Sequence, residues 1–324
     1  MSRKIILDVD TGTDDAVAIM FAALHPDLDL IGVTTVNGNV PLENTTDNTL
    51  RVLDWIGRPD IPVFAGLARP IARLGFPSAK HFERDSGDDP HGSALPIPEP
   101  RSVRQDTGAV EFLVETLRSA TEQITLVPVG PLSNIATALA IDPSLTEAVD
   151  EVVIMGGGHA VTNVTASAEF NIWADPEAAN MVLSAGFGRL TLVPLDATYQ
   201  ALITRDTCTA LEESATPAGI AASRFISLRI DAYDGTVAVD DAAPVHDVVC
   251  TAYLVRPEVI TTRSLHVTVD TTSPLTIGRT VMDTRLKSTQ KPNADVAFGA
   301  DPQLLADLLL DVFTRPPSAP ATER

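Results

Sequence analysis

Cysteine is nearly absent from this 324-residue chain: Cys208 and Cys250 stand alone and make no motif. Each reads as a small buried apolar residue and not as half of a disulfide. No apolar run is long enough to span a bilayer, and no signal-peptide core precedes the first strand-like run, which follows directly on Met1-Ser2-Arg3-Lys4. Positive charge is scarce. Lys and Arg number 23 against 43 Asp and Glu, for a net charge of −20 and a pI of about 4.5. Such a surface repels polyanions, so nucleic acid and anionic membrane are excluded as partners. Internal repeats are also lacking. These absences lead to the expectation of a soluble cytoplasmic protein whose ligand is a small molecule.

What remains is a globular composition. Hydrophobic residues make up 44%, enough for a sizeable core, and the length allows one large α/β domain or two small ones. No linker divides the chain, so one domain is expected over residues 1–313. A frayed, disordered tail is expected over 314–324, where Pro316, Pro317 and Pro320 cluster. Strand-like apolar runs at 5–9, 30–36, 61–64, 124–129, 151–155 and 190–195 alternate with helical patterns at 14–24, 42–56, 109–119, 132–140 and 176–183. This rhythm predicts a doubly wound α/β fold, a mostly parallel sheet with helices on both faces. Beyond residue 200 the pattern turns helical, with short strands expected near 265–269 and 278–281. The stretch 66–105, rich in Pro, Gly, Asp and His, has the length of a functional lid or a disordered segment.

Ligands of open α/β sheets bind at the carboxyl ends of the strands. The residues expected there are Asp8, Asp10, Asp14 and Asp15, then Asn37 and Asn39, then the turn from Pro128 to Pro131, then Met155 to Gly158, and finally Asp196. The most informative of these is Asp8-Val9-Asp10-Thr11-Gly12-Thr13-Asp14-Asp15. It closes a buried strand and opens a helix, with Gly12 at the turn. Helix capping and the macrodipole account for one or two acids in such a place. They do not account for four, which repel one another unless a cation or a proton compensates. A hard divalent cation held by oxygen ligands is the simplest compensation.

Two later segments carry weaker signals. Residues 168–173, Ala-Glu-Phe-Asn-Ile-Trp, combine an acid, an aromatic ring and an amide. Alone they read as a loop before a helix capped by Asp175 with Pro176 at its first position. Pro244-Val245-His246-Asp247 precedes an apolar helix and alone reads as a cap, although a histidine is well suited to donate a proton near neutral pH. Of the other histidines, His25 and His266 carry no motif, while His81, His91 and His159 fall in loops that can reach the crevice.

Together these segments resemble the inosine–uridine-preferring nucleoside hydrolase family. The octet fits its DxDxGxDD signature. Asn37-Gly38-Asn39-Val40 resembles its second conserved turn, and the segment from Val127 to Asn134 its metal-carbonyl loop. Met155-Gly156-Gly157 with the segment from Asn163 to Asn171 resembles its ribose-binding region, and His246-Asp247 its late His-Asp pair. The resemblance implies hydrolysis of ribonucleosides to ribose and free base. It implies Ca²⁺ bound by Asp10, Asp15, Asp247 and the carbonyl of Val129, with Asp14 as general base. Asn39, Met155, Asn163, Glu169 and Asn171 would hold the ribose. His246 would protonate or hydrogen-bond the leaving base, Phe170 would lie against the substrate, and His81 would contact the base. The segment 225–234 is expected to add base contacts, with Tyr233 and Arg229 as candidates. A homo-oligomer, dimer or tetramer, is implied as well.

The chain departs from the family pattern at Val129, where Thr is usual, at Val248, where Pro is usual, and in the lid around His81. Two other readings start from the same residues. One is a Mg²⁺-dependent haloacid dehalogenase-type phosphohydrolase with Asp8 as nucleophile and Asp10 as acid/base. Gly12 stands where that motif has Thr or Val. The other is a non-catalytic nucleoside- or ribose-binding protein.

Overall fold

The apolar runs form one twisted sheet whose topology fixes where the acidic octet lies. The computed structural model describes residues 2–73, 94–233 and 239–315. Strand and helix alternate through the first part: β1 (Arg3–Val9), α1 (Thr13–Leu24), β2 (Leu28–Thr35), α2 (Leu42–Trp55), β3 (Val63–Ala65), α3 (Ala109–Ser119), β4 (Ile124–Pro128), α4 (Ser133–Ile141), β5 (Val149–Met155), α5 (Phe170–Ala174), α6 (Pro176–Leu183) and β6 (Leu190–Val193). The second part is richer in helix: α7 (Leu195–Thr198), β7 (Leu202–Thr204), α8 (Arg205–Glu213), α9 (Pro217–Tyr233), β8 (Ala242–Pro244), α10 (Val248–Val255), β9 (Ile260–Leu265), β10 (Val267–Val269), β11 (Thr280–Met282), β12 (Ala294–Ala300) and α11 (Pro302–Phe313).

Eight strands make the main sheet in the order β3-β2-β1-β4-β5-β6-β12-β9. All neighbours are parallel except β12 and β9. A parallel strand covered on both faces alternates its side chains between two cores. Ile5, Leu7 and Val9 of β1 enter the core shared with α1, α2, α9, α10 and α11, while Ile6 enters the core under α3, α4 and α6. Helix α1 is buried from Thr13 to Ala23, which suits its nearly unbroken apolar sequence.

The chain reverses direction across the sheet between β1 and β4. From β1 it winds outward through β2 and β3, then returns beside β1 to lay down β4, β5 and β6. After β1 the chain passes to α1 on one face of the sheet and after β4 to α4 on the other, the topology beside which open α/β sheets bind ligands at their strands' carboxyl ends.

Some boundaries differ from expectation for local reasons. The sixth strand stops at Val193 because Pro194, which cannot donate to a ladder, leads into α7. The strands expected near 265–269 and 278–281 are β10 and β11, paired in a separate antiparallel ribbon. β9 and β12 extend the main sheet beyond the expected strands; β9 has no apolar run to announce it and is buried only at its two ends, while β12 carries only the short run Val296-Ala297-Phe298. Residues 94–105 form no helix or strand, yet Leu95 and Ile97 are buried against the core containing α2. The two cysteines are buried free thiols, as expected. Among the described residues no helix is long and apolar enough to cross a membrane.

Candidate active site

β1 ends at Val9 and α1 begins at Thr13, so Asp10 lies on the connecting loop and Asp14 and Asp15 in the first helical turn. The N-terminal end of α10 brings Asp247 to the same point. Carboxylate oxygens of Asp14, Asp15 and Asp247 all lie within 4.8 Å of one another, and all three residues are buried. Asp10 is buried beside them.

Burial raises the Asp10 carboxyl well above the usual range, and the charge of Asp15 adds to this. Asp247 is raised for the same reason, first by burial and then by Asp14 and Asp15. Asp15 is pushed up to about 7 by burial and by the Asp14 charge. Carboxylates removed from water and crowded by like charges behave in this way. An all-oxygen donor set of this kind fits a hard divalent cation.

Capping explains only part of the cluster. Asp15 does cap α1, accepting the Gly12 amide at 2.9 Å and the Asp10 amide at 3.1 Å. Asp247 stands at the N-terminus of α10 without a capping hydrogen bond. Gly12 has φ −103°, so the turn there does not depend on a positive φ.

Asp10 is framed by backbone. The Asn39 amide donates to its Oδ2 at 2.6 Å, and the Asn39 side chain reaches Asp15 Oδ2 at 3.3 Å. A Cβ on Gly38 would stand 2.0 Å from Asp10 Oδ2, and one on Gly130 would stand 2.8 Å from Oδ1. Asp8 lies behind, 1% exposed, with its Oδ1 accepting from Thr34 Oγ1 at 2.6 Å and Asn134 Nδ2 at 2.7 Å. A carboxylate enclosed in this way frames the turn and does not reach a phosphate as a nucleophile would.

The ribose-side candidates form a second group. Asn171 Nδ2 donates to the carbonyls of Val129 at 2.7 Å and Met155 at 3.2 Å. The Val129 carbonyl keeps a second lone pair. Glu169 caps α5, accepting the Asn171, Gly157 and Ile172 amides, and burial pushes its carboxyl up to about 7. The Asn163 side-chain carbonyl accepts the Phe170 amide at 2.9 Å, which ties the loop before α5 together. Glu169 and Asn163 thus hold the backbone that presents Asn171.

The imidazole of His246 is 5% exposed. Its Nδ1 lies 2.7 Å from Thr198 Oγ1 and its Nε2 3.4 Å from the Tyr233 hydroxyl. Tyr199 meets it edge-on at 5.3 Å. His81 and His91 lie outside the described residues. His159 packs on Phe298, His25 stacks on Phe21, and His266 meets the Lys291 carbonyl. Asp196 binds the His159 and Ala160 amides and so stiffens the loop after β5.

Two partnerships were not anticipated. Arg229, read as a possible base contact, turns its guanidinium onto Asp14 with Nη1 3.0 Å from Oδ1. An arginine within the buried face of α9, beside Phe225, Ile226 and Ile230, was the available signal, since an arginine is rarely buried without a partner. Thr198, which orients His246, had none.

Comparison with known proteins agrees with this geometry. The model of the inosine-uridine preferring nucleoside hydrolase family matches residues 5–307. A pyrimidine-specific ribonucleoside hydrolase, RihB, of Escherichia coli O157:H7 (strain EC4115 / EHEC) is 41% identical over 282 residues, 87% of each chain. Among solved structures, the purine-preferring ribonucleoside hydrolase from Gardnerella vaginalis superposes with a TM-score of 0.86 at 30% identity, covering 96% of this chain and 98% of that one. The plant nucleoside hydrolase PpNRh1 gives 0.83 at 30% identity, covering 98% and 100%. The chain therefore belongs to the inosine-uridine preferring nucleoside hydrolase family, enzymes that hydrolyse the N-glycosyl bonds of ribonucleosides.

Proposed function

We propose that this hydrolase works with Ca²⁺ held by Asp10, Asp15, Asp247 and the Val129 carbonyl. The observation that carries this reading is the convergence of buried carboxylates at the reversal point of the sheet. A set of carboxylates and a carbonyl, completed by water and two sugar hydroxyls, would suit the roughly 6–8 oxygen ligands of Ca²⁺ better than the tight octahedron of Mg²⁺. When bound, the cation would orient the attacking water and the ribose diol and make the water more acidic.

Asn39 and Asn171 would orient the sugar from either side of the acids, with Met155 and Phe170 against it. Water would attack the anomeric carbon from the carboxylate side as the base leaves from the other face. Asp14 was the expected proton acceptor, but its Oδ1 lies 3.0 Å from Nη1 of Arg229. Asp10 accepts a single backbone amide and is crowded by like charges. We assign the proton of the water to Asp10 and a ribose hydroxyl to Asp14. His246, oriented by Thr198, would present Nε2 to the leaving base.

The test is a panel of purine and pyrimidine ribonucleosides with Ca²⁺ added after chelation, with metal analysis of the purified protein. The pyrimidine specificity of the 41%-identical relative is the reason to begin with uridine and cytidine. Turnover lost on chelation and restored by Ca²⁺, at about one ion per chain if the site is single, is the expected result. Zinc content, or turnover indifferent to chelation, would contradict the assignment. A 2′-deoxy substrate should be turned over roughly 10⁴-fold less efficiently, since the site is built around that hydroxyl. A homo-oligomer acting in nucleoside catabolism or salvage is proposed on family membership alone, and light scattering tests the first part.

A further inference from the structure

We propose that Arg229 is the resident counter-cation of the acidic centre, holding Asp14 by one oxygen and setting how tightly the carboxylates bind a divalent ion. The proposal rests on the cation-binding reading above. Arg229 is 1% exposed and heads the largest fully buried side chains of the described residues. Its fork joins three elements. Nε donates to the Pro244 carbonyl at the end of β8 at 2.8 Å, Nη1 lies 3.4 Å from Thr13 Oγ1, and the same nitrogen lies 3.0 Å from Asp14 Oδ1. The Tyr233 ring covers it at 5.5 Å.

Burying a guanidinium beside a cation site is costly unless its charge is used there. Asp10, Asp14, Asp15 and Asp247 carry four negative charges when ionised. A divalent ion alone leaves two of them uncompensated, and Arg229 leaves one. The guanidinium therefore does two things. It keeps the centre folded when no ion is bound, and it competes by like-charge repulsion with the ion that binds. It also fixes the position of Asp14 Oδ1. A lysine would keep the charge but could not meet Pro244, Thr13 and Asp14 at once.

The experiment uses full-length wild type, R229M, R229K and D14N/R229M. Metal-free R229M should melt roughly 5–10 °C below wild type, because a buried pair has lost one partner. Ca²⁺ measured by calorimetry should bind R229M about tenfold tighter or more, since a nearby like charge is gone. D14N/R229M, with both charges removed, should regain most of the metal-free melting temperature. R229K should keep the wild-type Ca²⁺ affinity but lose kcat at saturating Ca²⁺. Unchanged or weaker Ca²⁺ binding by folded R229M overturns the proposal. If metal-free R229M does not fold, the double variant decides: recovery supports the proposal and failure to recover overturns it. A wild type that binds no Ca²⁺ overturns this proposal together with the metal reading. A wild type that binds Ca²⁺ tightly and cleaves no ribonucleoside defeats the functional reading alone.

Discussion

Replacing Gly38 by alanine tests whether the backbone sets the place of Asp10. The added Cβ would stand 2.0 Å from Asp10 Oδ2, 2.6 Å from Cγ and 2.7 Å from Cβ. Three atoms of one side chain are in the way, so rotating the carboxylate does not clear the clash. Reaching an ordinary contact of about 3.5 Å requires a shift of more than ~1 Å. Gly38 is not among the glycines at positive φ, so alanine gains about 0.4–1 kcal/mol from a less flexible unfolded chain. The displaced carboxylate loses the Asn39 amide, a hydrogen bond to a charged group worth about 1.5–3 kcal/mol. The loss outweighs the gain and leaves a net destabilisation of roughly 1–2 kcal/mol, a few degrees in Tm. Activity should suffer more, because a misplacement of about 1 Å in a reacting group can cost roughly 10²-fold. The measurements are kcat/KM on a ribonucleoside at saturating Ca²⁺, Ca²⁺ affinity by calorimetry, and Tm. Gly188→Ala is the control: nothing lies within 4 Å of its Cβ position, and it should be neutral or slightly stabilising. Gly38→Ala with wild-type kcat/KM and Ca²⁺ affinity would refute the backbone-frame argument.

Asp10→Asn and Asp14→Asn should both lower turnover, by roughly the 10²–10⁴-fold worth of a general base at Asp10 and by less at Asp14, where the loss should fall partly on KM. A larger kcat loss at Asp14 would return the base to that residue. His246→Ala should slow natural nucleosides far more than p-nitrophenyl riboside, whose leaving group needs no proton; equal losses would make His246 structural. The folded values of about 7 for Asp8, Asp15 and Glu169 exceed the ordinary values of 3.8 and 4.5, so the folded protein keeps protons that the unfolded chain releases. Metal-free stability should therefore fall as pH rises from about 4 to about 7, and Ca²⁺ should recover more at pH 7.5 than at pH 5. A Tm of chelated protein that rises across that window would contradict this sign.

Elements with a strong apolar period were legible in the sequence. β1, α1, β4 and β5 fall within a residue or two of their expected bounds because each fills a buried layer that only such a pattern can fill. The edge strand β9 was not, since edge pairing rests on backbone bonds that leave little trace in side-chain type, and β12 was not, its apolar run being only three residues long. The acidic octet announced its chemistry because four carboxylates at one strand end have few structural uses. What stayed hidden depends on long-range placement: the guanidinium of Arg229 on Asp14, and the hydroxyl of Thr198 on His246 across 48 positions. Glu169 shows the opposite limit. A residue read from a motif as a sugar ligand also serves as a helix cap, and the motif alone does not separate the two.

The ladder between β1 and β4 and the contact between Arg229 and Thr13 have a consequence for the newborn chain. The octet is synthesised well before the guanidinium that meets it, which lies 216 residues after Thr13. Until α9 and α10 have been made, β1 can pair with β2 but the acids have neither Arg229 nor Asp247 beside them. Loop closure over such a distance is slow, and parallel sheets delay it further. A nascent or truncated chain ending before α9 would carry four crowded carboxylates at the end of its central strand, with repulsion opposing compaction. Helices α9 and α10 thus act as an internal timer: the acidic centre is not assembled until Arg229 and Asp247 have both been made.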